Sequence, residues 1–370
     1  MKIISVVGAR PNFMKIAPII KEFSKYIKKG YNLEHSLVHT GQHYSPIMSE
    51  MLFQQLGLPE PDINLGIGSG SHGEQTGKII IEFEKVLQEY NPDLIIVVGD
   101  VNSTIACALD AKKLGIKVAH IEAGLRSFDM DMPEEINRIL TDAISDFLFI
   151  TEKSAITNLS NEGVSQEKIH FVGNVMIDTL LSHLEKAKEK NMTKELGLIS
   201  NEYVVVTLHR PSNVDNECSL ESIGNVLAEI SKNKTIVFPV HPRTRNKINE
   251  YNLDGLFSKE NNILLTDPLP YLEFINIISS SYAVLTDSGG LQEETTVMGI
   301  PCLTLRENTE RPSTINDGTN ILVGLSPSNI LNTYNQIDKS IKRKIPEKWD
   351  GKSAGRIVKI ILEKFSVTTT

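Results

Sequence analysis

Short apolar runs, each closed by a glycine, an acid or a histidine and followed by a helix-like stretch, recur along all 370 residues of the chain. Residues 3–7 run into Gly8-Ala9-Arg10-Pro11, residues 94–98 into Gly99-Asp100, and residues 116–121 into Glu122. The same figure returns at 203–208 before His209-Arg210, at 235–240 before His241, and at 283–286 before Asp287-Ser288-Gly289-Gly290. Such runs between turn signals read as buried strands, and the amphipathic stretches between them as helices. Strands that alternate with helices predict an α/β fold of parallel, doubly wound sheets. A chain of this length suits two domains of roughly 150–200 residues. The pattern pauses over the polar residues 186–201. The expected division is therefore a Rossmann-like domain over 1–175, a second over 176–352, and a final amphipathic segment, 353–370, that crosses back onto the first.

In open parallel sheets ligands bind at the carboxyl ends of the strands, so the residues that close each run are the candidate site. Asp100 and Glu122 close successive strands, and sequential strands are often neighbours. An acid that ends a buried strand must find a partner or do chemistry, and two such acids can move protons on one substrate. Downstream, Met132-Pro133-Glu134-Glu135 reads as a helix opened by proline, with two acids in its first turn. Acids there favour the helix dipole, which is the reading adopted for Glu135, while Glu134 is kept as a candidate. Arg10 and Lys15 flank the first helix start, where they either hold an anion or are solvated surface cations. His39 and His43 stand four apart, but the glycine between them and the lack of a third ligand argue against a metal. Gly68-Ser-Gly70-Ser-His72-Gly73 matches a dinucleotide fingerprint literally, yet no real strand precedes it, so it is read as a glycine loop.

In the second half His209 sits at a strand end, either as an acid-base group or as a packing residue. Asp267-Pro-Leu269-Pro-Tyr271-Leu-Glu-Phe274 offers an aromatic residue to a flat base or to the core. Ser288-Gly289-Gly290 opens a helix whose free amides suit a phosphate, and Glu294, one turn on, suits ribose hydroxyls. Arg306 and Arg311 bring cations to the same edge. A formal charge of −8 argues against a nucleic-acid surface but leaves room for a local basic pocket. No apolar run approaches a membrane span or a signal peptide. Cys107, Cys218 and Cys302 lack metal-ligand spacing and fit reduced thiols in the cytoplasm.

Assembled, these motifs resemble the non-hydrolysing UDP-N-acetylglucosamine 2-epimerases, nearly end to end: Gly8-Ala-Arg10-Pro-Asn-Phe-Met-Lys15, Val98-Gly-Asp100, His120-Ile-Glu122-Ala-Gly-Leu-Arg126, Met132-Pro-Glu134-Glu-Ile-Asn-Arg138, Leu208-His209-Arg210, Thr286-Asp-Ser288-Gly-Gly290-Leu-Gln-Glu-Glu294 and Glu310-Arg311-Pro312. The resemblance implies the glycosyltransferase-B fold, two Rossmann-like domains facing each other across a cleft. It implies a UDP-sugar substrate, no redox cofactor and no metal, and a homodimer is expected. It places Asp100, Glu122, Glu134 and His209 around the sugar. It gives Arg10, Lys15, Ser288, Gly289, Gly290, Glu294 and Arg311 to the nucleotide and diphosphate, and Leu269 and Phe274 to the base. Gln42, His43, Arg210 and His241 match a second, activating site of regulated members, although no arginine stands near Ser71 and His72. Asn12 replaces a frequent glutamate, and Pro211-Ser212-Asn213 replaces a more charged continuation. A related epimerase of a uronic acid or 3-acetamido sugar, a glycosyltransferase on the same fold and a non-catalytic sensor are the competing expectations. Four acid-base candidates and no acceptor-binding insertion favour the epimerase.

Overall fold

The computed structural model describes residues 1–41, 53–339 and 344–369, the side chain of Arg10 excepted. The chain forms two compact units, Met1–Ser182 with Glu347–Thr370, and His183–Pro346. In the first, strands β1 (Lys2–Val7), β2 (Glu34–His39), β3 (Ile63–Asn64), β4 (Leu94–Val98), β5 (Lys117–Ala123), β6 (Phe147–Ile150) and β7 (Ile169–Phe171) form a parallel sheet in the order β3-β2-β1-β4-β5-β6-β7. The second repeats the plan with β8 (Tyr203–Thr207), β9 (Thr235–Pro239), β10 (Ile263–Thr266), β11 (Ala283–Thr286), β12 (Cys302–Thr304) and β13 (Asn320–Leu322), ordered β10-β9-β8-β11-β12-β13. Each sheet changes winding direction at its centre, between β1 and β4 and between β8 and β11. That is where a crevice opens beyond the strand ends.

The strands are near-continuously apolar because both faces are covered. In the second unit Val204, Val206, Ile236 and Phe238 point to one face and pack with Leu220, Ile223 and Leu227 of the Glu217–Ser231 helix. Tyr203, Val205 and Val237 alternate to the other face, against Ile277 and Ile278 of the Tyr271–Ser279 helix and Leu291 of the Gly289–Met298 helix. In the first unit Ile4, Val6, Ile95 and Val97 meet Ile79, Phe83 and Leu87 of the His72–Tyr90 helix. Each fully buried side chain of this kind contributes about 1.5–3 kcal/mol.

The expected boundaries at 175 and 352 fall in the structure at Ser182 and Pro346. The Val175–Lys188 helix carries the chain out of the first unit, and its opening residues belong there. Thr179 donates to the Met14 carbonyl, and the Asp178 carboxylate accepts from the amides of Ser353 and Ala354, capping the Ser353–Lys364 helix. That last helix packs on the Arg10–Lys28 helix, and Trp349 just before it donates its indole N–H to the Thr151 carbonyl.

His35 on β2 is sealed between Ser5, whose hydroxyl is 2.9 Å from Nε2, and the ring of Phe23, stacked 5.1 Å away. Burial, opposed in part by Asp62, lowers its pKa to about 4. The folded state thus refuses a proton that the unfolded chain accepts, so this contribution to stability is complete above about pH 6.5 and is lost as pH falls toward 4. Urea unfolding at pH 7 and pH 4.5 should show a loss of about 1–2 kcal/mol from this residue, discounted for its partial solvent contact. His35→Gln should flatten that part of the pH dependence, and an unchanged slope would refute the assignment.

Candidate functional site

The first unit places its acids on irregular turns. Gly99 takes a φ of 69° after β4, a conformation that glycine reaches without strain, and Asp100 follows it. Glu122 takes a φ of 72°, which a side chain rarely adopts, at a bulge where the β5–β6 register slips between Ile121 and Ala123. Such a backbone costs of order 1–3 kcal/mol and marks sites where direction matters more than comfort. The twist brings the Glu122 carboxylate to Lys15 Nζ at 2.5 Å, both side chains being buried. Lys15 Nζ reaches past Gly99, where a Cβ would stand 3.3 Å from it. Asn12 ties the same corner together: its carbonyl accepts from the amides of Gly8 and Ala9, and its Nδ2 donates to the Val98 carbonyl at 2.9 Å. An ionised glutamate here could not make that last bond.

The Pro133–Ile144 helix turns its charged face inward and its aliphatic face outward. Glu135, Arg138, Thr141 and Asp142 are its buried residues, whereas Ile136 is 41% and Leu140 50% exposed. Glu135 is no mere dipole ornament, which corrects the expectation above. It is 1% exposed, accepts from the amides of Ser127 and Phe128, and binds Arg138 at 2.5 Å. Burial pushes its carboxyl up, but those amides and the guanidinium outweigh it and hold it below the usual range. Arg138 spends its remaining Nη1 on Asp100 Oδ2 at 2.5 Å, so Asp100 is aimed by a buried guanidinium that Glu135 locks. Asn137 donates to the Asp100 carbonyl. Glu134 is exposed on the first turn.

In the second unit His209 and Asp287 end β8 and β11, the two strands at the switch of winding. Asp287, fully buried, accepts from the amides of His209 and Arg210, from Asn213 Nδ2 and from His209 Nδ1 at 2.8 Å. Burial raises that carboxyl, and the imidazole and the amides more than offset it, leaving it below its ordinary value. The His209 side chain is 44% exposed, with its ring held at Nδ1. Asn213, within the departure Pro211-Ser212-Asn213, also donates to the Leu305 carbonyl, which gives that substitution a structural task. Arg210 donates Nε to the Asp287 carbonyl, and the His241 ring lies 6.1 Å from that of His209.

Ser288 caps the Gly289–Met298 helix without a side-chain bond to it. A Cβ on Gly289 would meet Arg311 Nη1 at 2.5 Å, so the glycine makes room for that guanidinium. Arg311 is itself buried, with Nε 2.9 Å from Glu293 and Nη1 bonded to Glu310, which also holds Arg306 at 2.8 Å. Glu294, buried, accepts from the Tyr271 hydroxyl at 3.0 Å. Burial first, and then the carboxylate, push the Tyr271 phenol well above its usual pKa, so it stays a donor. Leu269 and Phe274 are half-buried against the same apolar cluster as Ile277 and Leu291.

Of the residues expected from the sequence, Lys15 meets Glu122 at the strand ends of the first unit, where Asp100 closes the neighbouring strand, and His209, Arg210 and His241 gather in the second. Ser288, Gly289 and Gly290 open one helix there with Arg311 against Gly289, and Glu294 lies further along it, bonded to Tyr271. Gln42 and His43 lie outside the described residues, as does the Arg10 side chain. Sequence reasoning overlooked Asp142, His120 as a ring with work of its own, Arg138 and Asp287. The spacing Glu135, Arg138, Asp142 was the available signal, since three ionisable residues three and four apart share one helix face. Among the described residues no group of three His, Cys, Asp or Glu is placed to hold a metal ion, and no helix is long and apolar enough to cross a membrane.

Two parallel Rossmann-like units, one ending its strands in carboxylates and the other opening a helix with Ser-Gly-Gly, form an α/β fold of the glycosyltransferase-B type suited to a nucleotide sugar. Residues 25–362 match the family model described as UDP-N-acetylglucosamine 2-epimerase. A UDP-N-acetylglucosamine 2-epimerase of Methanococcus maripaludis is 46% identical, over 97% of this chain and 98% of that one. The crystal structure of Methanocaldococcus jannaschii UDP-GlcNAc 2-epimerase in complex with UDP-GlcNAc and UDP superposes with a TM-score of 0.89 at 43% identity, over 98% of this chain and 100% of that one. A UDP-2,3-diacetamido-2,3-dideoxy-D-glucuronate 2-epimerase of Pseudomonas aeruginosa is 45% identical over 88% of each chain. The chain belongs to the UDP-N-acetylglucosamine 2-epimerase family and is thereby an isomerase.

Removing one partner of the buried pair should expose its cost. Lys15→Met is expected to lower unfolding free energy by about 3–5 kcal/mol, and adding Glu122→Gln to recover a large part of that. Equal stability of the single variant and the wild type would show the pair to be idle. Tyr271→Phe removes the hydroxyl that donates to the buried Glu294 and should lower unfolding free energy by about 1–3 kcal/mol in urea titration. Unchanged stability would show that bond to be idle.

Proposed function

We propose that the chain interconverts UDP-N-acetylglucosamine and UDP-N-acetylmannosamine without a redox cofactor. One acid-base group removes the C2 proton while the C1–O bond to the diphosphate breaks, forming the C1=C2 bond of 2-acetamidoglucal and free UDP. A second group returns a proton to the opposite face of C2 as the UDP oxygen re-adds to C1. The observation that carries this reading is the pair of carboxylates, Asp100 and Glu122, ending adjacent strands with each oriented by its own buried cation. Two positioned carboxylates suit a proton taken and a proton given. Glu134 and His209 complete the acid-base set. UDP is assigned to the second unit, with its diphosphate at the amides opened by Ser288, Gly289 and Gly290, its ribose on Glu294, and its base beside Leu269 and Phe274. Arg10, Lys15 and Arg311 supply positive charge for the departing diphosphate.

Incubation with UDP-N-acetylglucosamine alone in heavy water, followed by proton NMR, tests the reading. The manno product should appear with deuterium at C2. Product that keeps the substrate's own hydrogen would overturn the elimination, and no change without an added acceptor would favour a transferase. The comparable identity to the P. aeruginosa diacetamido-glucuronate enzyme supports a second reading, in which turnover appears only with a modified UDP-N-acetylhexosamine. Asp100→Asn and Glu122→Gln should bind UDP and lose roughly 10²- to 10⁴-fold in exchange.

The outward aliphatic face of the Pro133–Ile144 helix supports a homodimer as the working form. Ile136 and Leu140, one turn apart, are unusual residues to leave in water on a helix that buries its charges. The nucleotide-sugar substrate and the three cysteines without metal-ligand spacing support a cytoplasmic reaction. Sedimentation equilibrium should report a dimer that Leu140→Glu converts to monomer, and a wild-type monomer at micromolar concentration would rule out the assembly.

A further inference from the structure

The turns that carry Asp100 and Glu122 follow neighbouring strands, and neither is regular. An irregular turn at a strand end has few ladder bonds to hold it, so something else must set its direction. Asp142, wholly buried on the Pro133–Ile144 helix, reaches both turns at once. Its Oδ1 lies 2.7 Å from His120 Nδ1, and His120 Nε2 lies 2.8 Å from the carbonyl oxygen of Gly99, the residue before Asp100. Its Oδ2 accepts from the amide of Gly124, two residues after Glu122, at 3.0 Å, and from Arg126 Nη2 at 2.8 Å.

Donor counting fixes the character of the ring. A carbonyl oxygen only accepts, so Nε2 is the donor to Gly99, and Nδ1 faces the Asp142 carboxylate. Both nitrogens of the fully buried His120 are thus spent, while Arg126, which shares Asp142, is also held by Glu162 at 2.6 Å. A side-chain amide could not replace the ring, because its two N–H groups leave one atom and cannot reach acceptors on opposite sides. The carboxylate, for its part, holds the Glu122 turn directly through the Gly124 amide and the Asp100 turn through the His120 ring, which projects from β5.

We propose that Asp142 and His120 form a positioning pair that sets the placement of Asp100 relative to Glu122, acting through the Gly99 carbonyl and the Gly124 amide. The inference rests on the reading of Asp100 and Glu122 as acid-base groups. Neither member touches substrate. Both act by fixing main chain and neither bonds to a residue assigned to UDP, so their loss should slow the proton steps and leave nucleotide binding as it is. A displacement of about 1 Å at a reacting group costs on the order of 10²-fold in rate.

The test compares His120→Phe, which keeps an aromatic ring, and Asp142→Asn, which keeps volume, with Glu162→Gln, which weakens the far end of the same network and leaves both turn contacts in place. Wild-type turnover is established first, because its failure would count against the proposed function and not against this pair. Expected is a fall of about 100-fold in kcat and in solvent-deuterium incorporation for His120→Phe and Asp142→Asn, with KM and UDP affinity within about twofold. Glu162→Gln should lower Tm and keep the wild-type kcat. A folded His120 or Asp142 variant with wild-type kcat would overturn the proposal, and so would a parallel loss of kcat in Glu162→Gln, which would show a general structural role. If His120→Phe does not fold, the isosteric Asp142→Asn decides the matter by the same kcat and exchange readings.

Discussion

A charge taken out of water must be matched, and the first unit is organised around that constraint. Lys15 with Glu122, Glu135 with Arg138 and Asp100, and His120 with Asp142, Arg126 and Glu162 all sit at or behind the carboxyl ends of β4 and β5. Such pairs are poor sources of stability, since apolar residues of the same volume often serve as well or better. Their value lies in direction: each bond fixes one carboxylate, one turn or one ring against another. The apolar sheet beneath supplies the folding energy, and the matched charges above it supply the geometry.

The strand-and-turn plan was legible in the sequence because a parallel strand buried on both faces is a short apolar run, and whatever ends the run lies at the crevice edge. The strand-end positions of Asp100, Glu122, His209 and Ser288 were read in that way. The interior of the Pro133–Ile144 helix was not. Periodicity shows that Ile136 and Leu140 share one face and that Glu135, Arg138 and Asp142 share another, but it carries no sign for which face is inside. The usual assumption, aliphatic inward, is reversed here, and with it the meaning of Glu135. The unit boundary was displaced for a similar reason. A helix can belong to one unit at its start and leave it at its end, as Val175–Lys188 does, without any change in composition.

The two units share strand order and differ in what they place at the switch of winding. One gathers carboxylates and their cations, which suits proton transfer. The other gathers a histidine, a buried aspartate and a helix start widened by Gly289, which suits an anion. Duplicated topology thus supplies two unlike surfaces, and the chemistry of a nucleotide sugar needs both kinds.

The same pairing of a buried aspartate with histidine Nδ1 occurs once in each unit, and the difference between the two shows how surroundings assign a role. His120 is fully buried, and with Nε2 on the Gly99 carbonyl and Nδ1 on Asp142 both of its nitrogens are committed. His209 has a comparable bond to Asp287, 2.8 Å against 2.7 Å, but nearly half of its side chain faces outward. The same device thus has both nitrogens committed in one unit and a half-exposed ring in the other, and no motif in the sequence separates the two cases.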